Sequence, residues 1–200
     1  MMLVIGVTGQ IASGKSVVAR EFARFGAVVI SGDEIGKEVV EKNPQILDKL
    51  VGAFGSTILN RRRRLDRRAL GKVAFSSPEL TDKLNRIVHP PLLRKLRNEI
   101  SRHKKACKKP MIVVDAALIF EWGLEKELDK VIVVESRRAD QIKRLEKSGL
   151  SRLEIRSRLC RQMPKHRQRA LADFVLRNDG TAAELQAAVR KLFSPICAEF

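Results

Sequence analysis

The chain is 200 residues long, with 44% hydrophobic and 4% aromatic residues, three cysteines and a formal net charge of +17 at pH 7. That length suits one domain, or one domain carrying a lobe, and the ordinary apolar fraction excludes wholesale disorder. Cys107, Cys160 and Cys197 lack any C-x-x-C spacing, which excludes a zinc ribbon or disulfide framework and reads as reduced thiols, while the absence of tyrosine excludes a base-stacking platform.

Leu3–Thr8 is a β-branched, nearly all-apolar run, as expected of a strand buried on both faces. It runs straight into a glycine loop without a basic leader, and no apolar run is long enough to span a bilayer. The expectation is a soluble, cytoplasmic protein. From Ser16 onward, Val18, Phe22 and Phe25 recur at helical spacing, and Gly26 is a stop signal. Ala27–Ser31 reads as a second strand, and Gly32-Asp33 opens the next helix.

The interval 33–110 is helical, basic and punctuated by Pro44, Pro78 and Pro90-Pro91, too long for a simple crossover, so it should form a lobe. Its run Arg61–Arg64 reads as a solvated loop that steers anions rather than as a nucleic-acid site. Met111–Asp115 and Lys130–Glu135 are the third and fourth strands, a basic segment follows over 137–169, and Asp173–Asn178 is a short fifth strand. Strands alternating with helices predict an α/β fold: a five-stranded parallel sheet with helices on both faces.

Gly9-Gln10-Ile11-Ala12-Ser13-Gly14-Lys15-Ser16 fits G-x-x-x-x-G-K-[ST], between a strand and a helix. Gly9 and Gly14 permit close backbone approaches, so the intervening amides can face phosphate oxygens at a helix N-terminus. Lys15 then places a cation on the β- and γ-phosphates, and the Ser16 hydroxyl can ligate Mg²⁺ directly. A nucleoside triphosphate is the predicted ligand.

A GTPase would need a guanine-reading N-K-x-D, which is absent, and a helicase-type ATPase would be larger. A small kinase needs an acceptor-side carboxylate, an acceptor lobe and a basic lid. Asp33, the 33–110 lobe and the arginines of 137–169 supply these in outline.

These segments, in order, resemble dephospho-coenzyme A kinase, a family that phosphorylates the ribose 3′-hydroxyl of dephospho-CoA with ATP and Mg²⁺. The resemblance runs through VTGQIASGKS, LDRRAL (Leu65–Leu70), LNRIVHP (Leu84–Pro90), VVDAALIFEWGL (Val113–Leu124), QIKRL (Gln141–Leu145), SRLCRQM (Ser157–Met163) and ADFVLRNDGT (Ala172–Thr181). The family's usual D-A-D stands here as Ser31-Gly32-Asp33, so one acid is kept.

The resemblance implies a P-loop kinase with a helical acceptor lobe and a basic helical lid, acting on a small molecule rather than on nucleic acid or membrane, as a monomer or weak homo-oligomer. It assigns ATP to Gly9, Ala12, Ser13, Gly14, Lys15, Ser16, Val17, Arg144, Asn178 and Gly180, with Asn178 and Gly180 near adenine or serving as a plain turn. It assigns the acceptor to Thr8, Asp33, Arg67, His89, Glu121 and Arg158, with His89 either bonding the acceptor or tying a loop to backbone, and Glu121 either touching substrate or bracing the lobe. Asp33 would be the base, or else a helix cap, and Lys15 and Arg144 would serve the transferring phosphate. Asp115 would reach Mg²⁺ through water, or simply end its strand. Another small-molecule or nucleoside monophosphate kinase, and a basic nucleic-acid-binding ATPase, are the alternatives.

Overall fold

In a computed structural model, which describes residues 2–106 and 111–198, the chain forms β1 (Leu3–Thr8), α1 (Lys15–Arg24), β2 (Val28–Ser31), α2 (Gly32–Lys42), α3 (Pro44–Phe54), α4 (Arg67–Ala74) and α5 (Pro78–Ala106). Then follow β3 (Met111–Asp115), β4 (Lys130–Glu135), α6 (Arg138–Lys147), α7 (Arg152–Arg161), α8 (Lys165–Ala170), β5 (Phe174–Arg177) and α9 (Ala182–Ala198). Cys107 and the side chain of Cys197 lie outside the described residues; Cys160 is a free, exposed thiol. No helix among the described residues is long and apolar enough to cross a membrane.

The strands pair in parallel in the order β2-β3-β1-β4-β5. β1 is central because every one of its residues is buried, as a strand covered on both faces requires. Leu3, Ile5 and Val7 join Val18, Ala19 and Phe22 of α1 and Leu185, Val189 and Ile196 of α9 in one core cluster. On the opposite face Gly6 leaves room for Leu128 and Ile119, since a Cβ there would sit 2.6 Å from Leu128 Cδ1 and 2.9 Å from Ile119 Cδ1. Val7 registers with Asp115 and Ser31 registers with the same aspartate, so the C-terminal ends of β1, β2 and β3 lie along one sheet edge.

The chain divides into two compact units, Met1–Ser31 with Ile100–Phe200, and Gly32–Glu99. The second unit is shorter than the 33–110 lobe read from sequence, because the end of α5 counts with the sheet. Ile35, Val39, Ile46, Leu50, Phe54, Ile58, Leu70, Leu92 and Leu96 are among its buried apolar residues. Asn43 and Asp66 cap α3 and α4 by accepting from the amides of Gln45 and Ile46, and of Arg68 and Ala69. Arg61–Arg64 is an exposed loop folded around Asn60, whose Oδ1 accepts from Arg62 N and Arg64 N at 2.9 and 3.1 Å.

Two expectations about boundaries are corrected. β2 begins at Val28 rather than Ala27, because the Ala27 amide donates to Phe22 O at 3.1 Å and closes α1 over Gly26, whose φ is 89°. β5 is likewise trimmed to Phe174–Arg177. Pro90 and Pro91 do not interrupt the lobe but lie inside α5. Each removes an intrahelical donor, yet half-buried Leu84 and Val88 before them and buried Leu92, Leu96 and Ile100 after them form one apolar stripe at i+4 spacing, and packing sustains the helix.

A buried charge lies between α1 and α9. Glu21 of α1, 2% exposed, accepts from Arg190 Nε of α9 and from Arg24, each at 2.9 Å. The Arg190 hydrogen bond, aided by the Arg24 charge, holds the Glu21 carboxyl below its ordinary value of 4.5 against the opposing push of burial. A lowered folded-state pKa contributes stability that is present above the unfolded value and lost as pH falls through the folded one. Glu21→Gln should therefore lower the melting temperature at pH 7, and the gap to wild type should close as pH drops below 4.5. Thermal melts of both proteins across that range check this.

Candidate active site

The loop Gly9–Gly14 leaves β1 at the sheet edge, and its backbone takes conformations that side chains disfavour. Gly9 has φ 140° and Gly14 φ 108°. A Cβ at Gly9 would meet Val134 O at 2.2 Å, and one at Gly14 would meet Asn178 Nδ2 at 2.2 Å. Ala12, at φ 59°, is left-handed without being glycine, a state that costs about 1–2 kcal/mol. Contacts from outside the loop offset that cost. Arg144 donates to Ala12 O at 2.9 Å, and Gln141 Nε2 donates to Ile11 O at 3.1 Å. Asn178 Nδ2 donates to Ser13 O at 2.8 Å.

At the start of α1, Lys15 Nζ donates to Gln10 O at 3.3 Å across the loop. Ser16 Oγ donates to Asp115 Oδ2 at 3.0 Å. A hydroxyl and a carboxylate together beside a phosphate loop are oxygen donors of the kind Mg²⁺ takes alongside phosphate and water. Thr8 is fully buried at the end of β1, and Val17 is half-buried in α1.

The 137–169 segment is built onto this loop. Leu145, Ile155 and Leu159 bury together against Ile11 and Ala12. Arg144 also reaches Ser136 Oγ at 3.1 Å and Asn178 O at 3.4 Å, tying the loop to the ends of β4 and β5. Lys165 donates to Ser136 O, and Arg169 grips the buried Glu135 carboxylate with Nε and Nη2 at 3.2 and 2.6 Å. That hydrogen bond and charge raise the Arg169 pKa further. Arg158 is half-buried on α7, and Glu121 Oε1 accepts from Met163 N at 3.1 Å, at the end of the same segment. Gly180 is exposed in the turn after β5; a Cβ there would crowd Glu184, which caps α9 by accepting from Thr181.

The remaining predicted residues belong to the second unit. Asp33 is the second residue of α2 and exposed, and its carboxylate makes no hydrogen bond among the described residues, so the helix-cap alternative is not realised. Arg67 is exposed at the first residue of α4. His89 lines a groove of about 470 Å³ on α5 together with Asp82, Asn85, Arg86 and Pro90. Burial pushes the His89 imidazole pKa down, favouring the neutral ring.

Sequence reasoning did not assign Gln141, Gln162, Lys165, Arg169 or Glu135. Gln141 and Gln162 lie in QIKRL and SRLCRQM, but a glutamine carries no chemistry of its own to mark it. What identifies them is the backbone atom each one reaches.

The dephospho-CoA kinase family pattern matches residues 3–184. A dephospho-CoA kinase of Bacillus thuringiensis subsp. konkukian is 39% identical over 199 residues, covering 96% of this chain and 98% of that one. One from Thermobifida fusca is 36% identical over 196 residues, covering 98% and 96%. The solved dephospho-CoA kinase of Campylobacter jejuni superposes with a TM-score of 0.65 at 26% identity, covering 96% of each chain.

Asn178 tests whether its amide braces the loop or reads the base. Asn178→Ala should weaken inorganic tripolyphosphate and ATP alike, by about tenfold, because the lost bond holds Ser13. Calorimetric titration with both ligands is the check, and loss of ATP affinity alone would assign the residue to adenine.

Proposed function

The chain belongs to the dephospho-CoA kinase family, and we propose that it transfers the γ-phosphoryl group of ATP to the ribose 3′-hydroxyl of dephospho-CoA, giving coenzyme A and ADP. The observation that carries this reading is a braced phosphate loop in a chain whose family match extends over residues 3–184, through the loop, the lobe and the basic segment alike.

Phosphoryl transfer needs little covalent help from protein; it needs positioning and stabilisation of charge. The loop amides and Lys15 hold the triphosphate, with Gly9, Ala12, Ser13, Gly14, Ser16 and Val17 shaping its path. Arg144 lends a guanidinium at the rim, where planar donors suit phosphate oxygens. Ser16 directly and Asp115 through water, their side chains 3.0 Å apart, would hold Mg²⁺, which would supply charge neutralisation for the phosphates. Asn178 and Gly180 border the adenine side.

Asp33 orients the acceptor hydroxyl and takes its proton late, as an exposed carboxylate at the start of α2. Arg67 and Arg158 supply cationic contacts to the acceptor diphosphate, and Thr8, His89 and Glu121 complete its surroundings. Neutral His89 can donate or accept one hydrogen bond without adding charge. The protein works on a small molecule in the cytoplasm, as a monomer or weak homo-oligomer, with closure of 137–169 over bound ATP.

Measuring ADP release from ATP against a panel of dephospho-CoA and nucleoside monophosphates tests the reading; turnover confined to a nucleoside monophosphate would overturn it. Lys15→Ala should cost about 10² to 10³ in rate with the fold intact by circular dichroism. Asp33→Asn should reduce kcat by about 10² or more, with ATP affinity and melting temperature little changed. Steady-state kinetics with a thermal melt separate that result from a purely structural role, which would lower the melting temperature and spare kcat.

A further inference from the structure

The outer edge of the phosphate loop is clasped by the chain that follows α7. Gln162 is the C-terminal cap residue of α7, with extended backbone at φ −83° and ψ 153°. Its Oε1 accepts from Ile11 N at 2.8 Å. The loop returns a bond one residue on, from Gln10 Nε2 to Met163 O at 3.2 Å, while Met163 N donates to Glu121 at 3.1 Å. Gln162-Met163 thus lies along Gln10-Ile11 as a short strap anchored at both ends. Beneath it, Ile155 and Leu159 of α7 pack with Leu145 on Ile11 and Ala12, which fixes the direction of approach.

The strap bears on the strained point of the loop. With Ile11 N–H held by Gln162 and Ile11 C=O by Gln141, the residue before left-handed Ala12 is fixed at both polar groups. The Ala12 carbonyl is then fixed by Arg144. A loop held in its binding conformation beforehand loses less freedom when the ligand arrives.

We infer that Gln162 is a positioning residue for ATP: through Ile11 N–H it presets the left-handed turn at Ala12 and so couples the 137–169 segment to the phosphate loop. The inference rests on the reading that this loop holds the ATP triphosphate. It assigns no contact between Gln162 and ATP; the effect passes through the loop backbone.

Two full-length variants test it. Gln162→Met keeps the length of the side chain but removes the acceptor, and Gln162→Glu keeps an oxygen at the same reach. ATP binding, titrated calorimetrically without acceptor, should weaken about tenfold in Gln162→Met and stay within about threefold of wild type in Gln162→Glu. The KM for ATP should rise in step in Gln162→Met, with the KM for dephospho-CoA unchanged. Wild-type ATP affinity in Gln162→Met, or equal losses in both variants, would overturn the assignment. Amide exchange in the wild-type protein gives a check that no variant can confound: Ile11 N–H should be protected without nucleotide, and rapid exchange there also overturns it. A wild-type chain that binds ATP but leaves dephospho-CoA unphosphorylated would refute the functional reading alone.

Discussion

A backbone that wraps phosphate must turn its amides inward, and a chain of L-residues does so only by visiting conformations it otherwise avoids. Gly9 at φ 140°, Ala12 at φ 59° and Gly14 at φ 108° mark where this chain does it. Glycine removes the steric cost at two of these positions, but at Ala12 it must be met by contacts from outside. Those contacts come from α6, from the strap after α7 and from the end of β5. The sheet in turn exists to bring these parts to one edge: β1 delivers the loop, β3 delivers Asp115 in register with Val7, β4 ends at Glu135, and Asn178 follows the end of β5 beside it.

The excess of positive charge divides by environment. Arg144, Lys165 and Arg169 are spent on carbonyls, a hydroxyl and a buried carboxylate around the end of β4, where they organise the rim of the loop. Arg24 and Arg190 compensate a single buried glutamate between α1 and α9. Arg61–Arg64, the densest basic run, is exposed and folded on its own asparagine. Its field is screened within about 8 Å at physiological salt, so it can hasten the encounter with an anion but cannot select one.

Helix α5 shows packing overriding local preference. Two consecutive prolines would ordinarily end a helix, yet the helix spans 29 residues because half-buried Leu84 and Val88 and buried Leu92 and Leu96 continue one apolar stripe across them. His89 and Pro90 then share one groove, and burial pushes the imidazole pKa down within a strongly basic protein.

By itself, the sequence determined whatever depends on local pattern. Buried parallel strands announce themselves as continuous β-branched runs, so all five strands were legible to within a residue or so at their ends, and G-x-x-x-x-G-K-S located the phosphate loop because its spacing is the geometry. Ser16 and Asp115 could be named from their places after β1 and in β3, but their 3.0 Å contact belongs to the register of distant strands. The continuity of α5 through Pro90-Pro91 was decided by apolar packing, which local preference does not report. The bracing of Ile11, Ala12 and Ser13 by Gln162, Gln141, Arg144 and Asn178 was decided by tertiary structure alone. The reason is physical: these side chains act on backbone amides and carbonyls, which every residue carries alike, so no residue type in the loop can signal which partner will reach it.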